Sequence, residues 1–194
     1  MTIRNIDHKN NIKHRFSIRL KGYNYSRVWM YFVTICIKDR KCLLGNIINE
    51  KIILNELGRI VKKCWEEIII HYPNIELDEF IIMPNHLHGI IFITDDLVRV
   101  QNFEPLQENK YQHIISGSIG AIIRGFKIGV KKIYRQSIWQ RNYYEHIIRN
   151  ENSLEKIRNY IYNNPNNWQN DIENLAINKN ITEQQKENYY KNIF

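Results

Sequence analysis

Cysteine is scarce in this 194-residue chain, with only Cys36, Cys42 and Cys64. The odd count and the lack of a C-x-x-C spacing argue against a disulfide framework and against a structural zinc site. With 4 prolines and 8 glycines there is no long Gly/Ser/Pro linker, and no internal repeat is visible. One domain with small appendages is expected. No apolar run approaches the roughly 18 to 20 residues that cross a bilayer, so no membrane partner is expected. Met1 to Arg19 alternates charged and polar residues, unlike a secretory leader, and a soluble cytoplasmic protein is the default. No G-x-x-x-x-G-K-[ST] loop is present, so ATP is not an expected cofactor. Acidic residues are the minority, 20 against 28 Lys+Arg, giving a formal charge of +8. That excess favours a polyanionic partner such as nucleic acid. A hydrophobic fraction of 43% excludes a wholly disordered chain.

Residues 1–27 read as a basic N-terminal arm, with Lys9, Lys13, Arg15, Arg19, Lys21 and Arg27. Val28 to Lys38 is rich in aromatic and β-branched residues and predicts a strand. A hairpin is expected from Lys41 to Leu54, turning at Asn49-Glu50. Asn55 to His71 has helical apolar spacing, with Asn55 as N-cap and Pro73 beyond the end. Strands follow at Glu76 to Met83 and His86 to Thr94, then a polar loop from Asp95 to Gln112. Ser116 to Arg135 predicts a second helix, Ile138 to Ile148 a strand and turn, and Ser153 to Asn163 a third helix. The polar residues 169–194 read as a peripheral extension. The β-α-β-β-α-β order predicts an α+β fold, a ferredoxin-like antiparallel sheet with helices packed on one face.

Three features carry chemistry. In Met83-Pro84-Asn85-His86-Leu87-His88-Gly89, alternation along a strand points His86 and His88 to one side. Two neutral imidazoles side by side can share a divalent metal that acts on a phosphate. An arbitrary H-x-H is more often a pair of structural histidines. In Asn159-Tyr160-Ile161-Tyr162-Asn163-Asn164-Pro165, Tyr160 and Asn164 share a helix face. A tyrosine phenol can serve as a covalent nucleophile. The Asn164 amide oxygen is a hard ligand suited to Mg²⁺ or Mn²⁺. The bland alternative is a packed tyrosine followed by a helix stop, because Pro165 disfavours helical geometry at Asn164. Arg124, Lys127, Lys131 and Arg135 recur every three or four residues on the second helix, a row that can follow a phosphate backbone or simply face solvent. Arg141 lies among Trp139, Tyr143 and Tyr144, a grouping that suits base stacking or sheet core.

Taken together these blocks resemble the HUH tyrosine transposases, especially the REP-associated tyrosine transposases and related small insertion-sequence transposases. HUH denotes histidine, hydrophobic residue, histidine, matched by His86-Leu87-His88. The framing M-P-N-H-L-H-G-I-I, G-S-I-G-A-I-I-R-G-F-K, W-Q-R-N-Y-Y-E-H-I-I-R-N and Y-I-Y-N-N-P-N-N-W occurs in the family's order. It spans roughly Val28 to Trp168, which defines the nuclease domain as 28–168. The resemblance implies a ferredoxin-like nuclease acting on single-stranded or hairpin DNA. It implies that His86 and His88 bind a divalent metal, that Tyr160 is the nucleophile, and that Asn164 completes the metal site. Some relatives carry Gln at that last position. Tyr162 is the fallback nucleophile if the helix register differs. The resemblance implies cleavage through a 5′-phosphotyrosine link, and it allows a homodimer that exchanges the tyrosine helix.

Two other readings compete. One is a domesticated nucleic-acid-binding module that no longer cleaves. The other is a phosphodiesterase that works through water. If the 1–27 arm and the Arg124 to Arg135 row grip phosphates, single-strand DNA affinity should fall steeply from about 50 to 200 mM salt. A flat salt dependence in a filter-binding titration would count against both patches.

Overall fold

The computed structural model describes residues 30–94, 117–174 and 181–193. The basic arm 1–27 and the loop 95–112 lie outside the described residues. Four strands form one antiparallel sheet: β1 (Met30–Cys36), β4 (Ile75–Ile82), β5 (His86–Ile93) and β6 (Tyr144–Ile148). Their order is β4-β5-β1-β6. Counting only these four, the order is second, third, first, fourth, as in a ferredoxin-like sheet. A separate hairpin pairs β2 (Gly45–Ile48) with β3 (Lys51–Leu54). Asn49 and Glu50 turn it with φ of 49° and 62°. Two successive left-handed residues suit a two-residue hairpin loop.

Helices α1 (Glu56–Glu66) and α2 (Ile68–His71) follow the hairpin. Asn55 caps α1 by accepting from the Gly58 amide at 2.9 Å. Helix α3 (Ile119–Tyr134) is capped by Ser118, and α4 (Glu151–Asn163) by Asn150. The α4 cap lies three residues before Ser153, so the helix starts earlier than its spacing predicts. Asn150 Oδ1 accepts from the Ser153 amide at 2.9 Å. Asn164 keeps helical angles, φ −59° and ψ −39°, despite the proline after it. Helix α5 (Glu183–Ile193) ends the described chain. Among the described residues no helix is long and apolar enough to cross a membrane.

Alternation sorts the sheet into two cores. Tyr31, Val33, Ile35, Leu87 and Ile91 face α1 and α3, together with Trp65, Ile122, Phe126 and Val130. This is the helix-covered face expected from the sequence, and the α+β class holds. The opposite face is also covered. There Phe32, Ile90 and Ile148 pack against Leu154, Ile157 and Ile161 of α4 and against Tyr190 of α5. Strands β1 and β5 are therefore buried on both sides.

Gly89 permits this packing. A Cβ there would sit 2.4 Å from Cζ2 of the buried Trp65 ring. Gly89→Val should destabilise the fold by about 1 to 3 kcal/mol through overpacking. A thermal melt tests this, and an unchanged midpoint would show that the Trp65 contact is not tight.

Candidate metal and nucleophile site

His86 and His88 project from β5 toward α4 and α5, and both are fully buried. Two buried imidazoles need partners, and each finds one at Nδ1. Thr34 Oγ1 on β1, directly across from His88, lies 2.9 Å from His88 Nδ1. Asn85 Oδ1 lies 2.7 Å from His86 Nδ1. With the Nδ1 protons directed at these oxygens, the Nε2 lone pairs would be free to face a shared cation, the arrangement of metal-ligating histidines. The two Nε2 atoms are 2.9 Å apart.

A third donor comes from the extension that the sequence placed at the periphery. Asp171 is 1% exposed, and its Oδ2 lies 4.0 Å from His86 Nε2. His86, His88 and Asp171 form a group able to hold a metal ion. The donor set fits a divalent cation. With ligands at about 2.1 Å, neighbouring octahedral positions are about 3.0 Å apart and opposite ones about 4.2 Å. The observed separations are close to these two values.

Asn164 is 1% exposed and joins the same cluster. Its Nδ2 donates to Asp171 Oδ2 at 2.8 Å. Its Oδ1 is buried and accepts no hydrogen bond among the described residues. The structure thus brings Asn164 beside the histidines, with an unused buried oxygen suited to a cation. Asp171 Oδ1 accepts from the Glu173 amide at 2.6 Å, which fixes the carboxylate.

Glu173 anchors this segment. Its carboxylate meets Arg40 Nε at 3.0 Å and Lys186 Nζ at 3.2 Å. Tyr190 donates to Glu173 Oε1 at 3.4 Å. A buried carboxylate with two cations is paired and not stranded. The polar tail is therefore structural at 171–174 and in α5. The sequence offered no signal for this, because isolated acids in an Asn-rich stretch show no periodicity.

Tyr160 enters from α4. Its phenol oxygen is 3.2 Å from His88 Nε2 within the same chain. Burial, then the nearby Asp171 carboxylate, push that phenol well above the ordinary tyrosine range. Tyr189 of α5 also hydrogen-bonds Tyr160. Tyr162, the fallback, is 77% exposed and points away from the cluster. His146 lies on β6 opposite Phe32, on the site's side of the sheet, and burial lowers its pKa.

The basic candidates lie elsewhere. Helix α3 packs on the opposite face of the sheet, where Arg124, Lys131 and Arg135 are exposed. Arg141 is exposed in the loop before β6. Lys127 is used internally: its Nζ donates to the carbonyls of Gln140, Arg141 and Asn142 at 2.8, 3.3 and 3.2 Å. Burial lowers its pKa to about 8.

No protein-family model matches the chain. The chain is 50% identical over 168 residues to a Haemophilus influenzae protein of uncharacterized function, covering 82% of this chain and 93% of that protein. It is 28% identical over 145 residues to a provisionally assigned REP-associated tyrosine transposase of the same organism, covering 73% of each. Among solved structures it resembles that of a REP-associated tyrosine transposase bound to a REP hairpin. That match has a TM-score of 0.56 and 18% identity, and covers 78% of this chain and 74% of that one. The likeness establishes the shared fold.

Burial lowers the pKa of His86 to about 3 and holds His88 well below its ordinary value. In the unfolded chain both would titrate near about 6.5. Between those values the unfolded state binds more protons, so stability should fall as pH drops from 7 to 4. Melts of chelator-treated protein should show that slope, and His86→Gln/His88→Gln should flatten it. An unchanged slope in the double variant would assign it to other groups.

Proposed function

We infer that this chain belongs to the REP-associated tyrosine transposases and acts as a DNA strand transferase on single-stranded or hairpin DNA. One observation carries the chemistry: the Tyr160 oxygen lies 3.2 Å from His88 Nε2, inside a buried His-His-Asp cluster. A phenol beside a cation-binding group is the arrangement for attack on phosphorus.

His86, His88 and Asp171, with the Asn164 oxygen adjoining, would hold the cation, Mg²⁺ or Mn²⁺. When bound, it supplies Lewis-acid polarisation of the scissile phosphate. Tyr160 Oη attacks phosphorus in line and gives up its phenol proton. The bond from phosphorus to the 3′-oxygen breaks, and that oxygen leaves as a hydroxyl after gaining a proton. The product is a 5′-phosphotyrosine link, one phosphodiester exchanged for another. A different 3′-hydroxyl can then reverse the step and join a new strand. Thr34 and Asn85 fix the ring orientations, and the surrounding Phe32, Ile90 and Tyr190 exclude water that would compete with the incoming hydroxyl.

The solved relative carries a REP hairpin, and a folded hairpin is the substrate class proposed here. The exposed Arg124, Lys131, Arg135 and Arg141 are proposed to contact flanking phosphates. Tyr160 reaches the histidines of its own chain, so this chemistry needs no exchange of helices in a dimer.

Incubation with Mn²⁺ and a hairpin oligonucleotide should give a band shift that survives denaturation. Tyr160→Phe should abolish that adduct while native binding persists. An adduct that persists in Tyr160→Phe removes Tyr160 as the nucleophile. Cleavage without any adduct favours attack by water, and binding without cleavage favours a domesticated module. Thr34→Val should lower metal affinity or activity by about 10- to 100-fold. A Mn²⁺ titration of wild type and variant checks that figure.

A further inference from the structure

We infer that Trp168 is a stacking platform for the nucleobase beside the scissile phosphate, an inference that rests on the strand-transfer reading above. The ligand cluster is sealed. His86, His88, Asn164 and Asp171 are each at most 1% exposed. A strand delivering its phosphate there must pass partly exposed neighbours. Trp168 is one of these, half-buried, with its ring centroid 6.1 Å from that of His86 and tilted by 35°.

The backbone that carries the indole is anchored. Trp168 opens a short 3-10 turn, Trp168–Asn170, separated from the end of α4 by the turn residues 164–167. The Trp168 carbonyl accepts from the Asp171 amide at 3.2 Å and from Asn174 Nδ2 at 2.9 Å. Its own amide donates to the Pro165 carbonyl at 3.3 Å. The backbone that holds the indole is therefore the backbone that delivers Asp171. A platform whose backbone is already ordered has less freedom to lose when it stacks.

Tyr144 and Tyr189 are also partly exposed, but their rings pack on Tyr190, whereas Trp168 sits against the ligand His86. Phe32 and Tyr190 have no exposed surface, and Tyr160 is occupied by the reaction. A partly exposed indole can take any base on its π-face, so it would grip the strand without reading its sequence. Specificity would then come from the hairpin, while Trp168 holds the cut site in register.

The experiment uses the full-length chain with two labelled probes of equal charge: dT12 and a 12-mer of the same phosphate length carrying abasic sugars. Affinities are read by fluorescence anisotropy. The wild type should bind dT12 more tightly than the abasic strand. Trp168→Ala should weaken dT12 binding by roughly 5- to 100-fold and leave abasic binding unchanged. Trp168→Phe should restore most of the loss, and circular dichroism reports whether each variant keeps its fold. Equal losses on both probes, or no loss on dT12, would overturn the stacking role. Those results leave the strand-transfer reading intact if the wild type still forms its denaturation-resistant adduct. Absence of binding to either probe by the wild type overturns both.

Discussion

A single buried amide ties the site together. Asn85 is 1% exposed. Its Nδ2 donates to the carbonyl of Arg40 at 3.1 Å and to that of Glu173 at 2.8 Å. Its Oδ1 meets His86 Nδ1. One side chain thus joins the turn after β1, the start of β5 and a segment 88 residues later. Buried polar groups are costly when unpaired, so such a network is highly specific once satisfied. It orients the first histidine and docks the segment that brings Asp171.

The turn at Arg40 is built for the same purpose. Asp39 and Arg40 both adopt left-handed angles, which swing the Arg40 guanidinium back to Glu173. Lys186 approaches the same carboxylate from α5. Two cations around one buried anion compensate its lost hydration, whereas removal of either would leave charge only partly paired. The site is thereby assembled from β1, β5, α4, the 171–174 segment and α5, with no dependence on any one element's intrinsic stability.

The two faces of the sheet have separate tasks. The α1/α3 face is apolar and close-packed around Trp65. The α4/α5 face mixes aromatic rings with the histidines and acids. Arg158 fastens α4 to β4, with Nη2 2.6 Å and Nε 3.1 Å from the Asp78 carboxylate. That paired contact lies two residues before Tyr160 on the same helix. Much of the basic row on α3 lies behind the sheet, and Lys127 is diverted to clamp the 140–142 loop.

Periodicity in the chain was enough to determine the strands, the main helices, the hairpin turn and the shared direction of His86 and His88, because these are local consequences of a period of 2 or 3.6. The same local logic placed Tyr160 and Asn164 on one helix face. The part played by Asp171, Glu173 and α5, the internal use of Lys127, and the covering of the second sheet face belong to the tertiary structure. Each depends on contacts between residues tens of positions apart, and a scattered polar residue bears no mark of the partner it will meet until the chain has closed around it.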